Sequence, residues 1–212
     1  MAHRPSFPLT RWSTDRRVAI DTLALAHAQM GELKGPGRPG RPLEIGRPLA
    51  HAYIVRVVAE FQAFTRDLHD LGAELLVMGS GSRPDFTALL VSAVTEGRQM
   101  NRSNSDLNTL RSDFRRLGIQ GLNGRLEAAN GHWATRRKPR RRGDKAYYED
   151  LIRLRNALAH GNQSDLDRLR REGVLDTVSW GRARLPGLDR TAKALDRVVW
   201  EHLRTTFGAE PW

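Results

Sequence analysis

Leu49-Ala-His-Ala-Tyr53-Ile54-Val-Arg-Val57-Val58-Ala-Glu-Phe61-Gln-Ala-Phe64-Thr-Arg-Asp-Leu68-His-Asp-Leu71-Gly-Ala-Glu-Leu75 decides the fold. Tyr53, Ile54, Val57, Val58, Phe61, Phe64, Leu68, Leu71 and Leu75 recur at the 3.6-residue period of a helix. A stripe of that length predicts one long helix over 49–78 that buries a single face. No part of the chain sustains the alternation of a half-buried strand, so no sheet is expected.

Outward from this helix the punctuation stays helical. Ser13 is a candidate N-cap for a helix over 13–33, with Val18, Leu23, Leu25 and Met30 in a looser pattern. Gly35 to Pro48, with prolines at 36, 39, 42 and 48, reads as a non-helical connector. After Gly79-Ser-Gly-Ser-Arg-Pro, Asp85 is expected to cap a helix reaching about Arg98. Asn104 or Ser105 caps another over 106–117, which Gly118 ends. Residues 118–145 read as irregular. Further helices are expected near 145–160, 164–172 and 188–206. The expected fold is therefore an all-α bundle with 49–78 and 145–160 at its centre. Its organisation reads as an N-terminal helix and connector, 1–48, joined to a helical domain, 49–212, in one compact unit overall.

Composition narrows the function. The 212 residues carry 35 Lys and Arg against 24 Asp and Glu, a net charge of +11. Mean hydropathy is −0.55, so the surface must be heavily charged. Nearly all the basic residues are arginine, whose guanidinium fork grips phosphate and stacks on bases; a compositional Arg bias accounts equally for the scattered ones. There is no cysteine, which excludes disulfides, thiolate zinc sites and cysteine nucleophiles. The longest apolar stretch, Phe86 to Val94, is too short to cross a bilayer. Met1-Ala-His-Arg-Pro-Ser-Phe-Pro lacks an apolar core of signal-peptide length, which points to a cytoplasmic protein with no membrane partner.

Arg155-Asn156-Ala-Leu-Ala-His160-Gly161 falls where an amphipathic helix should run out. Gly161 suits the left-handed C′ position, which places His160 at the helix end beside unpaired carbonyls. Asn156 and His160, four apart, share a face, and Arg155 lies about 100° round from Asn156, near enough to border the same cleft. An imidazole titrating near neutrality can exchange protons, and a permanent guanidinium can hold a phosphoryl group as charge builds. The plain alternative is a solvated helix end with a glycine cap. The chain has a second Arg-x4-His, Arg197 to His202, but it lies inside a helix without an amide or a glycine stop, and it reads as packing or surface.

Arg155-Asn156-Ala-Leu-Ala-His160 resembles the Arg-polar-x(3–5)-His signature of the HEPN superfamily. The helix from His51 to Leu68 and the segment from Leu110 to Gly118 resemble the RiboL-PSP-HEPN branch, so that the likeness spans roughly 49–205. The resemblance implies a bundle of four or five helices that pairs as a homodimer, bringing two such helix ends to one groove. It implies Arg155 stabilising a phosphorane-like transition state, His160 as general acid or base, and Asn156 positioning His160 or a phosphate oxygen. The product would be a 2′,3′-cyclic phosphate and a free 5′-hydroxyl, with no metal or other cofactor.

Arg136, Arg137, Lys138, Arg140, Arg141 and Arg142, broken only by Pro139, read as a non-helical arm that clamps the RNA backbone, or as a solvated linker. Trp133 beside it either stacks on a base or serves the core. Glu60 either orients Arg155 or His160, or is an exposed carboxylate. No histidines fall at metal-ligand spacing. The expected function is a metal-independent endoribonuclease, a toxin or phage-defence effector with an antitoxin partner. The alternative is a non-catalytic dimeric helical module that binds nucleic acid or a partner protein.

Overall fold

One 34-residue helix, α3 (Gly46–Gly79), is the axis on which the other elements pack. The computed structural model describes residues 3–32, 46–102, 106–134, 142–208 and 210–212, and among them every regular element is helical. Tyr53, Ile54, Val57, Val58, Phe61, Phe64 and Leu68 are all buried, as their spacing predicts, while Leu71 and Leu75 are only partly covered. The helix starts three residues earlier than expected, with Pro48 inside it. Proline is tolerated there because a first-turn N–H has no intrahelical partner to lose.

The N-terminal segment departs further from expectation. Ser13 does not begin a helix. Ser6 does, accepting a hydrogen bond from the Leu9 N–H, with Pro8 in the first turn of α1 (Phe7–Arg11). A π-helical turn, Trp12–Arg16, leads into α2 (Arg17–Glu32). Ser13 instead bonds back to the Leu9 carbonyl at 3.0 Å. The Ser6 hydroxyl also donates to the buried Asp196, whose Oδ2 lies 3.0 Å from His3 Nε2. Burial pushes the Asp196 carboxyl upward. Leu9, Trp12, Ile20 and Ala24 thereby join the same contiguous core as α3.

After α3 come α4 (Pro84–Thr95), α5 (Leu107–Arg116) and α6 (Leu122–Ala129). Arg83, not Asp85, holds the N-cap position of α4, and Asp85 sits in its first turn, where it still favours the dipole. Arg116 ties down the far end of α4 by donating to the carbonyls of Ala93, Val94 and Glu96. Asp106 caps α5 through the Thr109 N–H at 2.7 Å; Asn104 and Ser105 lie outside the described residues. Helix α6 lies in a stretch expected to be irregular. Its glycines and asparagine read as turn residues, yet Gly121 at φ +63° is the left-handed corner from which the helix starts.

The C-terminal part supplies α7 (Asp144–Ala159), α8 (Gln163–Arg171), α9 (Val178–Arg182) and α10 (Leu185–Phe207). Helices α3, α7 and α10 pack against one another around the core. Gly181 lets α9 lie close on α3, since a Cβ there would stand 2.5 Å from Ile54 Cδ1.

Asp176 binds Arg170 at 2.8 Å and His51 at 3.1 Å, joining α8 to α3. The Arg170 hydrogen bonds hold its carboxyl well below the usual range against the opposing pull of burial. A depressed carboxylate contributes stability above its unfolded pKa, about 4, and that contribution disappears as pH falls below this. Asp176→Asn should cost about 1–3 kcal/mol at neutral pH and flatten the acid limb of the stability curve. Urea melts from neutral to strongly acid pH that stay parallel for the two proteins would contradict this.

Tyr148 is buried on α7 against Phe61, its hydroxyl without a hydrogen-bond partner among the described residues. Burial pushes its phenol well above the ordinary value. Tyr148→Phe removes an unsatisfied group and should leave stability unchanged or raise it by up to about 1 kcal/mol. Thermal denaturation would show a clear loss if the hydroxyl had a hidden partner.

Candidate functional site

Helix α7 positions the site, and both of its ends are fixed by identifiable bonds. At its start the buried Asp144 receives Arg190 Nη2 at 2.6 Å and Nε at 2.8 Å, together with Asn130 Nδ2 at 3.0 Å. At its end, after Ala159, His160 is the C-cap residue at φ −97° and ψ 1°, already outside helical geometry, and Gly161 takes the left-handed conformation at φ +61°. The Asn162 N–H reaches the Ala157 carbonyl at 2.9 Å and the Gly161 N–H the Leu158 carbonyl at 3.3 Å. These are the two bonds of a Schellman motif, as the placement of Gly161 predicts.

Asp150, Arg153, Asn156 and His160 follow one another at intervals of three, three and four residues, which puts them in a single row on α7. Asp150 is 3% exposed and carries two bonds to Arg142, at 2.6 and 3.1 Å. Arg153 Nη1 lies 3.5 Å from Asp150 and 2.8 Å from Glu172. Burial raises the Asp150 carboxyl, an effect that Arg142 partly offsets. Arg142, Asp150, Arg153 and Asn156 line a cleft of about 330 Å³ together with Asp106 and Tyr148.

Of the three residues expected to act together, only Asn156 lines this cleft. Arg155 is half-buried on the adjoining row. Its Nη1 donates to Asn156 Oδ1 at 3.4 Å, and its Nε is shut from water without a partner among the described residues. His160 is exposed one turn beyond Asn156. Among the described residues no hydrogen bond or ion pair joins Arg155 to His160. A guanidinium five residues from an imidazole is rotated about 140° from it on an ideal helix, so a shared substrate must bridge the helix tip.

Arg136, Arg137, Lys138, Arg140 and Arg141 lie outside the described residues; Arg142 is placed, with its head on Asp150. Trp133 is 1% exposed and serves the core, which removes the base-stacking reading. Glu60 fits neither of its readings. It is buried and paired with Arg16 at 2.7 Å and Arg56 at 2.6 Å, because the α1–α2 segment folds over that face of α3. Arg197 pairs with Glu201 at the surface, and His202 Nε2 lies 2.8 Å from the Leu117 carbonyl, so this second Arg-x4-His is packing and surface.

His69 is buried, with Nε2 3.0 Å from the Asp113 carbonyl and Nδ1 3.1 Å from Arg98 Nη1. Those contacts suit a neutral ring, and burial lowers its pKa. Among the described residues no group of three or more His, Asp or Glu side chains gathers as a metal site. None of the helices there is long and apolar enough to cross a membrane.

Asp106, Asp150 and Arg153 were not singled out by the sequence reading. The three-three-four spacing upstream of His160 was the available signal, masked because charges at helical spacing normally mark a solvated face. Both arginine heads are already on carboxylates, Arg142 on Asp150 and Arg153 on Asp150 and Glu172, so the cleft is charge-balanced, and the exposed imidazole stands one turn beyond it. No family model, curated protein or solved structure matches the chain.

Proposed function

We propose that the chain is an endoribonuclease of the HEPN type that cleaves RNA through the 2′-hydroxyl. The observation that carries this reading is the polar row of α7, which runs from an Arg142-bound cleft past Asn156 to an exposed imidazole at a Schellman-capped helix end. His160 takes the proton from the 2′-hydroxyl as its oxygen forms a bond to phosphorus. The bond from phosphorus to the 5′-oxygen breaks, and the leaving oxygen receives a proton. The products are a 2′,3′-cyclic phosphate and a 5′-hydroxyl. Arg155 stabilises the extra charge on the phosphorane, and Asn156 orients a phosphate oxygen. One chain offers a single imidazole here, so a homodimer would let two copies of His160 divide the acid and base roles. The basic run 136–142 would guide RNA to the cleft, and Arg142 is its fixed end. A cellular role as a toxin or phage-defence effector restrained by an antitoxin protein is part of this proposal.

The test is purified protein with end-labelled RNA, with and without EDTA. Cleavage in chelator with cyclic-phosphate ends supports the reading. Intact RNA under both conditions rejects it.

A second reading, a non-catalytic dimeric module, is favoured by one observation. Helix α4 buries none of its residues and exposes Phe86, Leu89 and Leu90 by 50%, 64% and 39%. Such an apolar face is characteristic of an interaction surface. A dimer in solution without RNA cleavage would favour this reading.

A further inference from the structure

We infer that the cleft between α5 and the start of α6 is a phosphate-binding site held by Arg111 and Arg115. It has a volume of about 650 Å³, and no Asp or Glu lines it. Its walls are the outward face of α5, with Asn108, Arg111, Ser112 and Arg115, and the turn that opens α6. Asp113, the acidic residue nearest in sequence, points the other way; it is buried and occupied by the N–H groups of Gln99 and Met100.

What sets the two arginines apart is that both line one cleft with their heads unpaired. Most arginines of the described chain end on a carboxylate or a carbonyl, and neighbouring Arg116 holds three carbonyls at the end of α4. The side chains of Arg111 and Arg115 have no ion pair or hydrogen bond among the described residues. Four residues apart on one helix face, they repel each other and weaken α5 unless an anion lies between them. Guanidinium forks meet phosphate oxygens in pairs, so one phosphate group can satisfy both.

The opposite wall adds donors. Gly121 provides no side-chain cap, and the first helical bond of α6 is from the Arg125 N–H to the Gly121 carbonyl. The N–H groups of Leu122, Asn123 and Gly124 therefore have no intrahelical acceptor. Two uncompensated cations and free backbone donors around an acid-free hollow select a multivalent oxyanion. The group could be a free phosphomonoester or one link of an RNA backbone, and both present the same chemistry to the cleft. This site is separate from α7, and the inference does not rest on the nuclease reading.

The full chain is melted in sodium phosphate and in sodium chloride at matched ionic strength, and titrated with labelled single-stranded RNA over a range of salt. Phosphate should raise the wild-type Tm in a saturable way. Arg111→Gln/Arg115→Gln should abolish that rise, while Arg125→Gln, outside the cleft, should retain it. Both target side chains are exposed, so the double variant should melt normally in chloride. If it does not, each single variant should still lose most of the phosphate response. A fall of about 1 in the salt slope of RNA binding identifies the backbone as the source, since both arginines hold one phosphate and each lost phosphate contact lowers that slope by about 1. An unchanged RNA slope with a lost phosphate response identifies a free phosphomonoester. An equal phosphate response in wild type and double variant, or none in the wild type, overturns the site. Cleavage at α7 is read separately, so either proposal can fail alone.

Discussion

His160→Ala should reduce RNA cleavage by about 10²–10⁴-fold, the contribution of a positioned general acid or base. The variant should fold normally, because the imidazole is exposed and makes no core contact. Backbone bonds at the Schellman turn run through Asn162 and Gly161, not through the His160 side chain. The readout is single-turnover cleavage of labelled RNA in EDTA, with circular dichroism to show that the fold is unchanged. A rate equal to wild type would remove the imidazole from the chemistry and leave α7 as a binding surface. Arg155→Ala tests the companion role. A drop in rate without weaker RNA binding would place the guanidinium on the transition state rather than on the ground state.

The second large effect is on stability. Phe61→Ala should cost about 3–5 kcal/mol, the usual price of truncating a buried aromatic. Phe61 is 1% exposed and meets Trp12 edge-on at 5.4 Å, Tyr148 at 5.3 Å and Phe64 at 5.7 Å. It therefore joins the N-terminal segment, the central helix and the site helix at one point. Chemical denaturation should show a single, earlier transition. If the N-terminal segment melted separately while the rest held, the shared core would not be cooperative. Because Tyr148 precedes the Asp150 to His160 row on α7, a loosened Phe61 site should also depress cleavage more steeply on warming than in the wild type.

Periodic apolar residues were legible before any coordinates. The stripe from Tyr53 to Leu68 is buried as read, and helices α5, α7, α8 and α10 lie where the spacing put them, within a few residues. Local chemistry was legible as well, as at Gly161, whose left-handed geometry follows from the residue and its place after an apolar row. Errors arose where local signals competed. Ser13 and Ser6 are both plausible caps, and Pro8 with Asp196 decided for Ser6. Glycine and asparagine in 121–124 read as a loop, although one left-handed residue was enough to start α6.

What the chain determined alone is its class and its punctuation: an all-helical fold, one long apolar stripe, and a motif placed at a helix end. Those features depend on neighbours three or four residues apart, which any window of sequence contains. Tertiary packing decided the pairing of charges. Glu60 is buried because Arg16 and Arg56 reach it, Arg142 is anchored because Asp150 lies beneath it, and Arg111 and Arg115 are left without carboxylates. A side chain's partner across 44 residues, as for Arg16 and Glu60, is set by how helices cross, and no local spacing encodes that.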